Sequence, residues 1–176
     1  DIDKQVIDVG MEYFGLDKIE GLQVYAQDAK RFVLSTDKAF DVVMLDTFHG
    51  GPFIPFYLTT EEFLSEVKSI MSDDAVLAVN LFYAKRPAPE VVLRYQNTIA
   101  SVFPSTYYID LGSNRVVFAA KDEISMDNIK SIIYSYGTRY NDTELSMTLQ
   151  YAFENIKSYQ FDASDPIFTD DKAPVE

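Results

Sequence analysis

Cysteine is absent from this sequence of 176 residues. Disulfides, thiolate nucleophiles and thiolate-bound metals are thereby excluded, and a reducing compartment fits. Histidine is nearly absent too: His49 is the single one. His pairs and His-rich metal sites are excluded with it, and no metal is expected. Positive charge is scarce, with 15 Lys and Arg against 28 Asp and Glu and a formal net charge of -13. A body this acidic repels phosphate backbones and anionic membranes, so neither nucleic acid nor a membrane is an expected partner. It suits a neutral or cationic small substrate, and it serves solubility equally well. No apolar run approaches the ~20 residues of a membrane span. The first residues lack the basic and apolar regions of a secretion signal, and a cytoplasmic location is the expectation. Internal repeats and low-complexity tracts are also missing.

What is present is a hydrophobic content of 47%, enough for one domain with a sizeable core. Residues 4–16 place Val6, Ile7, Val9, Met11, Phe14 and Leu16 at mixed three- and four-residue spacings, an amphipathic helix. Asp3 stands where its N-cap belongs. "LQVYAQ" at 22–27 alternates like a strand, and a short helix follows Asp28. "FDVVMLD" at 40–46 is a near-continuous apolar run ending in an acid, the pattern of a strand buried on both faces of a parallel sheet. "TTEEFLSEVKSIM" opens with a threonine cap and is a helix. "AVLAVNLFY" is a second buried strand, and Pro89 and Glu90 open a helix through Phe103. "STYYIDL" and "RVVFAAK" are strands joined by "GSN", a hairpin. Helices near 126–136 and 143–156 follow. The expected class is α/β: a doubly wound parallel sheet whose closing hairpin adds an antiparallel edge strand. The domain is expected over 1–157, with an extended acidic tail over 158–176.

In open α/β sheets, ligands bind beyond the carboxyl ends of the strands. Acids at those ends are therefore the candidates: Asp1 or Asp3, Asp28 and Asp46. One carboxylate can accept both hydroxyls of a ribose, another an exocyclic amine, and a third can take a proton at the reacting centre. Plain structural duties compete with these. Asp3 is equally a simple N-cap, and Asp28 equally caps the helix after it. Asp46 ends a buried strand and is followed by "TFHGGP", a glycine-bearing loop of the kind that carries function. His49 in that loop is a general base or a packing residue. The 12 Tyr and 13 Phe are mostly core. Phe53, Phe56 and Tyr57 lie in the loop after Asp46, where they either wall a substrate or tether the loop to the core.

These stretches together resemble the spermidine synthase (polyamine aminopropyltransferase) family, which has the fold of S-adenosylmethionine-dependent methyltransferases. "DID" before a helix ending "YFGL" is similar to the family's acid–Ile–Asp segment after its second Rossmann strand. "QDAKRFV", "FDVVMLDTF" and "IPFYLTTEEFLSEVKSIMSDDAVLAVN" are similar to its nucleoside-binding turn, its catalytic strand and the loop, helix and strand that follow. "FTDDKAPVE" is similar to the endings of bacterial members. The resemblance implies aminopropyl transfer from decarboxylated S-adenosylmethionine to a polyamine acceptor, with release of methylthioadenosine. It implies that Asp1 binds the ribose hydroxyls and Ile2 packs on the adenine. Asp28, with Ala29 beside it, takes the adenine amino group, and Asp46 receives the proton of the attacking amine. Thr47, His49 and Tyr57 fall where the family meets its amine substrate.

The sequence departs from the family in two places. Three residues after the catalytic acid the family carries a second acid, and here His49 stands instead. The β domain, first Rossmann strand and Gly-rich loop that precede Asp1 in the family have no counterpart in the sequence. The expectation is a fragment: a clipped product, or one half of a protein whose N-terminal part is a separate chain. A homo-oligomer is the other partner left open. Two other functions stay open: methyl transfer from S-adenosylmethionine on the same fold, and a non-catalytic nucleoside-binding relative.

Overall fold

Residue Asp3 begins the first helix as its composition dictates. Its backbone is extended and its carboxylate accepts the N–H of Gln5 at 2.8 Å, capping α1 (Lys4–Tyr13). Lys4 and Asp8, one turn apart on α1, pair at 2.6 Å. Gly15 ends this helical stretch in the left-handed conformation at φ 72°, which favours glycine, and a single 3-10 turn follows over Leu16–Lys18. The computed structural model describes residues 1–48, 54–83, 87–139 and 142–171. It divides into two compact units, Asp1–Lys38 and Ala39–Glu176.

The first unit holds α1, the segment at 22–27 and α2 (Ala29–Ser35). The segment at 22–27 corrects the sequence reading: no ladder forms along it. Alternation prepares a strand, but a strand needs a neighbour to accept its hydrogen bonds. Here the Leu22 N–H donates to the Ile19 carbonyl in a turn, and the bonds that pair the segment with Asp1 lie at its far end. The Asp1 amino group donates to the Tyr25 carbonyl at 3.2 Å, and the Gln27 N–H donates to the Asp1 carbonyl at 2.9 Å. That pair of bonds is the repeat unit of a parallel ladder and sets Asp1 beside Ala26.

The second unit is built on one five-stranded sheet. Its strands are β1 (Phe40–Leu45), β2 (Met71–Phe82), β3 (Ser105–Asp110), β4 (Asn114–Ala120) and β5 (Lys157–Tyr159), in the order β1-β2-β4-β3-β5. β1 and β2 are parallel, with Leu45 level with Val79. They are joined through α3 (Glu61–Ser69), which Thr60 caps by accepting the N–H of Phe63 at 3.3 Å. The remaining pairs are antiparallel. The α/β class and the C-terminal hairpin are therefore as expected, but the hairpin does not add a single edge strand. Its second strand, β4, lies between β2 and β3, and β5 adds beyond β3. Gly112 turns the hairpin at φ 86°.

Period-two patterning decides what β2 buries. Ala75, Leu77, Val79 and Leu81 point to one face and are buried together with Phe63, Leu64 and Val67 of α3 and Ile99 of α4 (Glu90–Val102). β1 is a correction. Val42 is 59% and Met44 74% exposed, so this strand is not buried on both faces. Among the described residues it pairs with β2, and it stands at one end of the strand order.

Two helices complete the unit, α5 (Met126–Arg139) and α6 (Thr143–Asn155). The chain after 158, read as an extended tail, runs back along α4. Asn97 Nδ2 donates to the carbonyls of Asp162 and Asp165 at 3.0 and 3.1 Å. Thr98 Oγ1 accepts the N–H of Phe168 at 3.0 Å, and the Phe168 carbonyl accepts the N–H of Glu61 at 2.9 Å. Phe168 is 3% exposed, with the Arg94 guanidinium 4.6 Å from its ring centre.

Candidate nucleoside and amine sites

Parallel pairing beside Ala26 sets the geometry of the first group. Asp1 and Asp28 both follow from the same end of this short parallel pairing, Asp1 at the bridge and Asp28 two residues past it. Asp1 is exposed, and one of its carboxylate oxygens accepts the N–H of Asp3 at 2.8 Å. Asp28 takes the capping duty that its spacing allowed: its Oδ1 accepts the N–H of Arg31 at 3.0 Å at the start of α2. Ile2 is 70% exposed between two acids, and Ala29 is the first residue of α2. The first unit thus presents acceptor groups beside Ile2, one of its several exposed apolar side chains.

The second group is set by β1 and β2. Leu45 is buried, and Asp46, the next residue, is exposed beyond the strand's carboxyl end. Asn80 on β2 donates from Nδ2 to Asp46 Oδ1 at 3.0 Å. Asn80 Oδ1 accepts from Asn114 Nδ2 on β4 at 2.8 Å, and Asn114 Oδ1 accepts from the Ser113 hydroxyl at 3.1 Å. Thr47 is partly buried and Phe48 exposed. His49 and Phe53 lie outside the described residues. Phe56 and Tyr57 sit in a 3-10 turn, Phe56–Leu58. Phe56 meets Phe168 edge-on at 5.7 Å, so this ring tethers the turn to the core, while Tyr57 is exposed. Burial pushes the Tyr95 phenol up, and its hydroxyl donates to the Leu58 carbonyl at 3.1 Å.

A further polar cluster lies where β3 and β4 meet. Arg115 donates from Nε to Asp110 Oδ1 at 2.8 Å and from Nη1 to Gln96 Oε1 at 2.6 Å, with its guanidinium 4.3 Å from the Tyr108 ring centre. The Tyr83 hydroxyl donates to Asp110 at 3.1 Å. Burial alone pushes the Asp110 carboxyl up. The hydrogen bond and charge of Arg115, with Tyr83 and Lys157, outweigh burial and hold it below the usual carboxylate range.

Sequence reasoning passed over Asn80 and Asn114. The only local signal for Asn80 is one amide inside the apolar run "AVLAVNLFY". Asn114 opens β4 directly after the hairpin turn, where asparagine is ordinary.

The family model for the spermine/spermidine synthase domain matches residues 1–110. A probable polyamine aminopropyl transferase of Bifidobacterium longum is 28% identical over 190 residues; the match covers 100% of this chain and 42% of that protein. The chain therefore spans less than half the length of this curated relative. Among solved structures, a probable spermidine synthase from Corynebacterium glutamicum has a TM-score of 0.70 at 15% identity, covering 100% of this chain and 64% of that one. Human methyltransferase-like protein 13 in complex with SAH has a TM-score of 0.59 at 18% identity, covering 93% of this chain and 72% of that one. These two share the fold. Asp1, Ile2, Asp28, Ala29, Asp46, Thr47, His49, Tyr57 and Asn80 all lie inside the span matched by the family model, and the chain belongs to the spermine/spermidine synthase domain family.

Proposed function

We propose that this chain carries the nucleoside-binding and proton-accepting parts of an aminopropyltransferase. The donor is decarboxylated S-adenosylmethionine and the acceptor a small polyamine. Asp1 accepts the ribose hydroxyls, Ile2 lies against the adenine, and Asp28 with Ala29 takes the adenine amino group. Thr47, His49 and Tyr57 border the amine. In the reaction the amine nitrogen attacks the aminopropyl carbon bonded to the sulfonium. The C–S bond breaks, its electron pair stays on sulfur, and neutral methylthioadenosine leaves. The new ammonium gives its surplus proton to Asp46. A fixed carboxylate beside that nitrogen and the sulfonium stabilises both positive centres and removes the proton.

The observation that carries the reading is Asp46. It stands at the carboxyl end of a strand in a parallel pair, where open α/β sheets hold their ligands, and inside the family-matched span. The likeness of fold to a methyltransferase with SAH favours methyl transfer as a second reading. One assay separates the two. The intact protein is incubated with a diamine and either decarboxylated S-adenosylmethionine or S-adenosylmethionine, and the nucleoside products are resolved. Methylthioadenosine formed together with an aminopropylated amine is the expected result. S-adenosylhomocysteine as the sole product would replace this reading with the second. Tight nucleoside binding without any turnover would reduce the chain to a binding relative.

A further inference from the structure

An ionised carboxylate can only accept hydrogen bonds, so Asp46 requires Asn80 to face it with its NH2 group. The Asn80 carbonyl then points away and needs a donor, which is Asn114 Nδ2 at 2.8 Å. The Asn114 carbonyl needs a donor in turn, and the Ser113 hydroxyl supplies it at 3.1 Å. All three bonds run in one sense: hydroxyl to amide, amide to amide, amide to carboxylate. Such chains polarise and strengthen one another. Register explains the meeting. Asn80 is level with Val116 and Asn114 with Phe82, so the two asparagines are diagonal neighbours on one face of β2 and β4. Leu45 is level with Val79, so Asp46 and Asn80 follow side by side.

We infer that Asn80 and Asn114 are positioning residues for Asp46, and that the antiparallel hairpin thereby sets the orientation of the acid at the end of β1. The inference rests on the proposed role of Asp46. A flip of the Asn80 amide turns its carbonyl toward the carboxylate and its NH2 toward the NH2 of Asn114, two repulsive contacts in place of two attractive ones. Asn114 therefore selects the one orientation of Asn80 that can hold Asp46. Asn114 lies beyond the family-matched span of 1–110 and acts through a pair of residues 34 positions apart.

The test is a double-substitution cycle in the intact protein. Asn114→Asp replaces a donor by an acceptor, which pulls the Asn80 NH2 off Asp46. It is expected to lower kcat about tenfold with the KM for the nucleoside unchanged, as misplacement of a reacting group does. In an Asp46→Asn background the same change is expected to cost less than about twofold, because the interaction it disturbs is already gone. An equal loss in both backgrounds means a merely structural residue and overturns the inference. Asn114→Leu, which removes the donor without adding charge, repeats the cycle should Asn114→Asp fail to fold. A readout independent of turnover separates this inference from the proposed reaction. The side-chain amide resonances of Asn80 are expected to move on Asp46→Asn and again on Asn114→Leu. No movement on the second change overturns the relay even where transfer activity is intact. Movement on both supports it even where the protein turns over no amine.

Discussion

Asp28 has one observed duty, the cap of α2, and one proposed, and a pair of substitutions can separate them. As an N-cap it is equalled by asparagine but not by alanine. As the proposed partner of the adenine amino group it depends on its charge, since hydrogen bonds to charged groups contribute about twice what neutral ones do. Asp28→Asn is therefore expected to leave thermal stability nearly unchanged and to weaken nucleoside binding about tenfold in calorimetry. Asp28→Ala is expected to weaken binding at least as much and to cost about 1 kcal/mol of stability besides. A nucleoside affinity indifferent to both changes would leave Asp28 as a cap alone. The same reasoning covers Asp110, held by Arg115, Tyr83 and Lys157. Its carboxyl is lower in the folded protein than in the unfolded chain. The stability it contributes is present above the ordinary carboxylate range and is lost as pH falls through its lowered value. Asp110→Asn is expected to cost about 2 kcal/mol at pH 7 and to flatten the acid limb of the stability curve. An unchanged acid limb in pH-dependent denaturant melts would contradict the assignment. Caps and strand-end acids such as Asp3, Thr60 and Asp46 are legible in sequence because their causes are local. Asn80 and Asn114 are not, because register alone brings them together.

At the scale of elements, the segment after β5 is the part whose role patterning least foretold. Polar, acidic and proline-bearing, it reads as tail, yet Asn97, Thr98 and Arg94 on α4 hold its backbone and Phe168 is buried. The signal was one aromatic in a polar stretch, and its pocket is made by residues far away in the chain. Phe168 also meets Phe56, next to Tyr57 in the turn that follows the Asp46 loop. Phe168→Ala is expected to cost about 3–4 kcal/mol and to speed amide exchange at Phe56–Leu58. A loss of stability with no change in exchange there would show that the tail braces α4 without bracing the turn. Strand order was the other hidden property. Hairpin strands were plain from "STYYIDL", "GSN" and "RVVFAAK", but the insertion of β4 beside β2 depends on pairing across distant sequence. At 22–27 the alternation reads as a strand, but no ladder runs along it, and its pairing with Asp1 is a single bridge at Ala26.

For the chain as a whole, the net charge of -13 is stated outright by the sequence, and it bears on how the proposed cationic acceptor would arrive. Clustered negative potential concentrates polyamines near the surface and is screened by salt over about 8 Å at physiological ionic strength. The KM for a diamine is expected to rise several-fold between 0.05 and 0.5 M salt, whereas affinity for uncharged methylthioadenosine stays flat. Parallel salt effects on both would mean that charge acts on folding rather than on capture. The proposed proton acceptor is tested by Asp46→Asn in the intact protein, with turnover and methylthioadenosine affinity measured on the same preparation. A fall in kcat of about a hundredfold or more is expected, the scale of a lost proton acceptor, with nucleoside affinity within about twofold of the original. Equal losses in both, or turnover left intact, would contradict it.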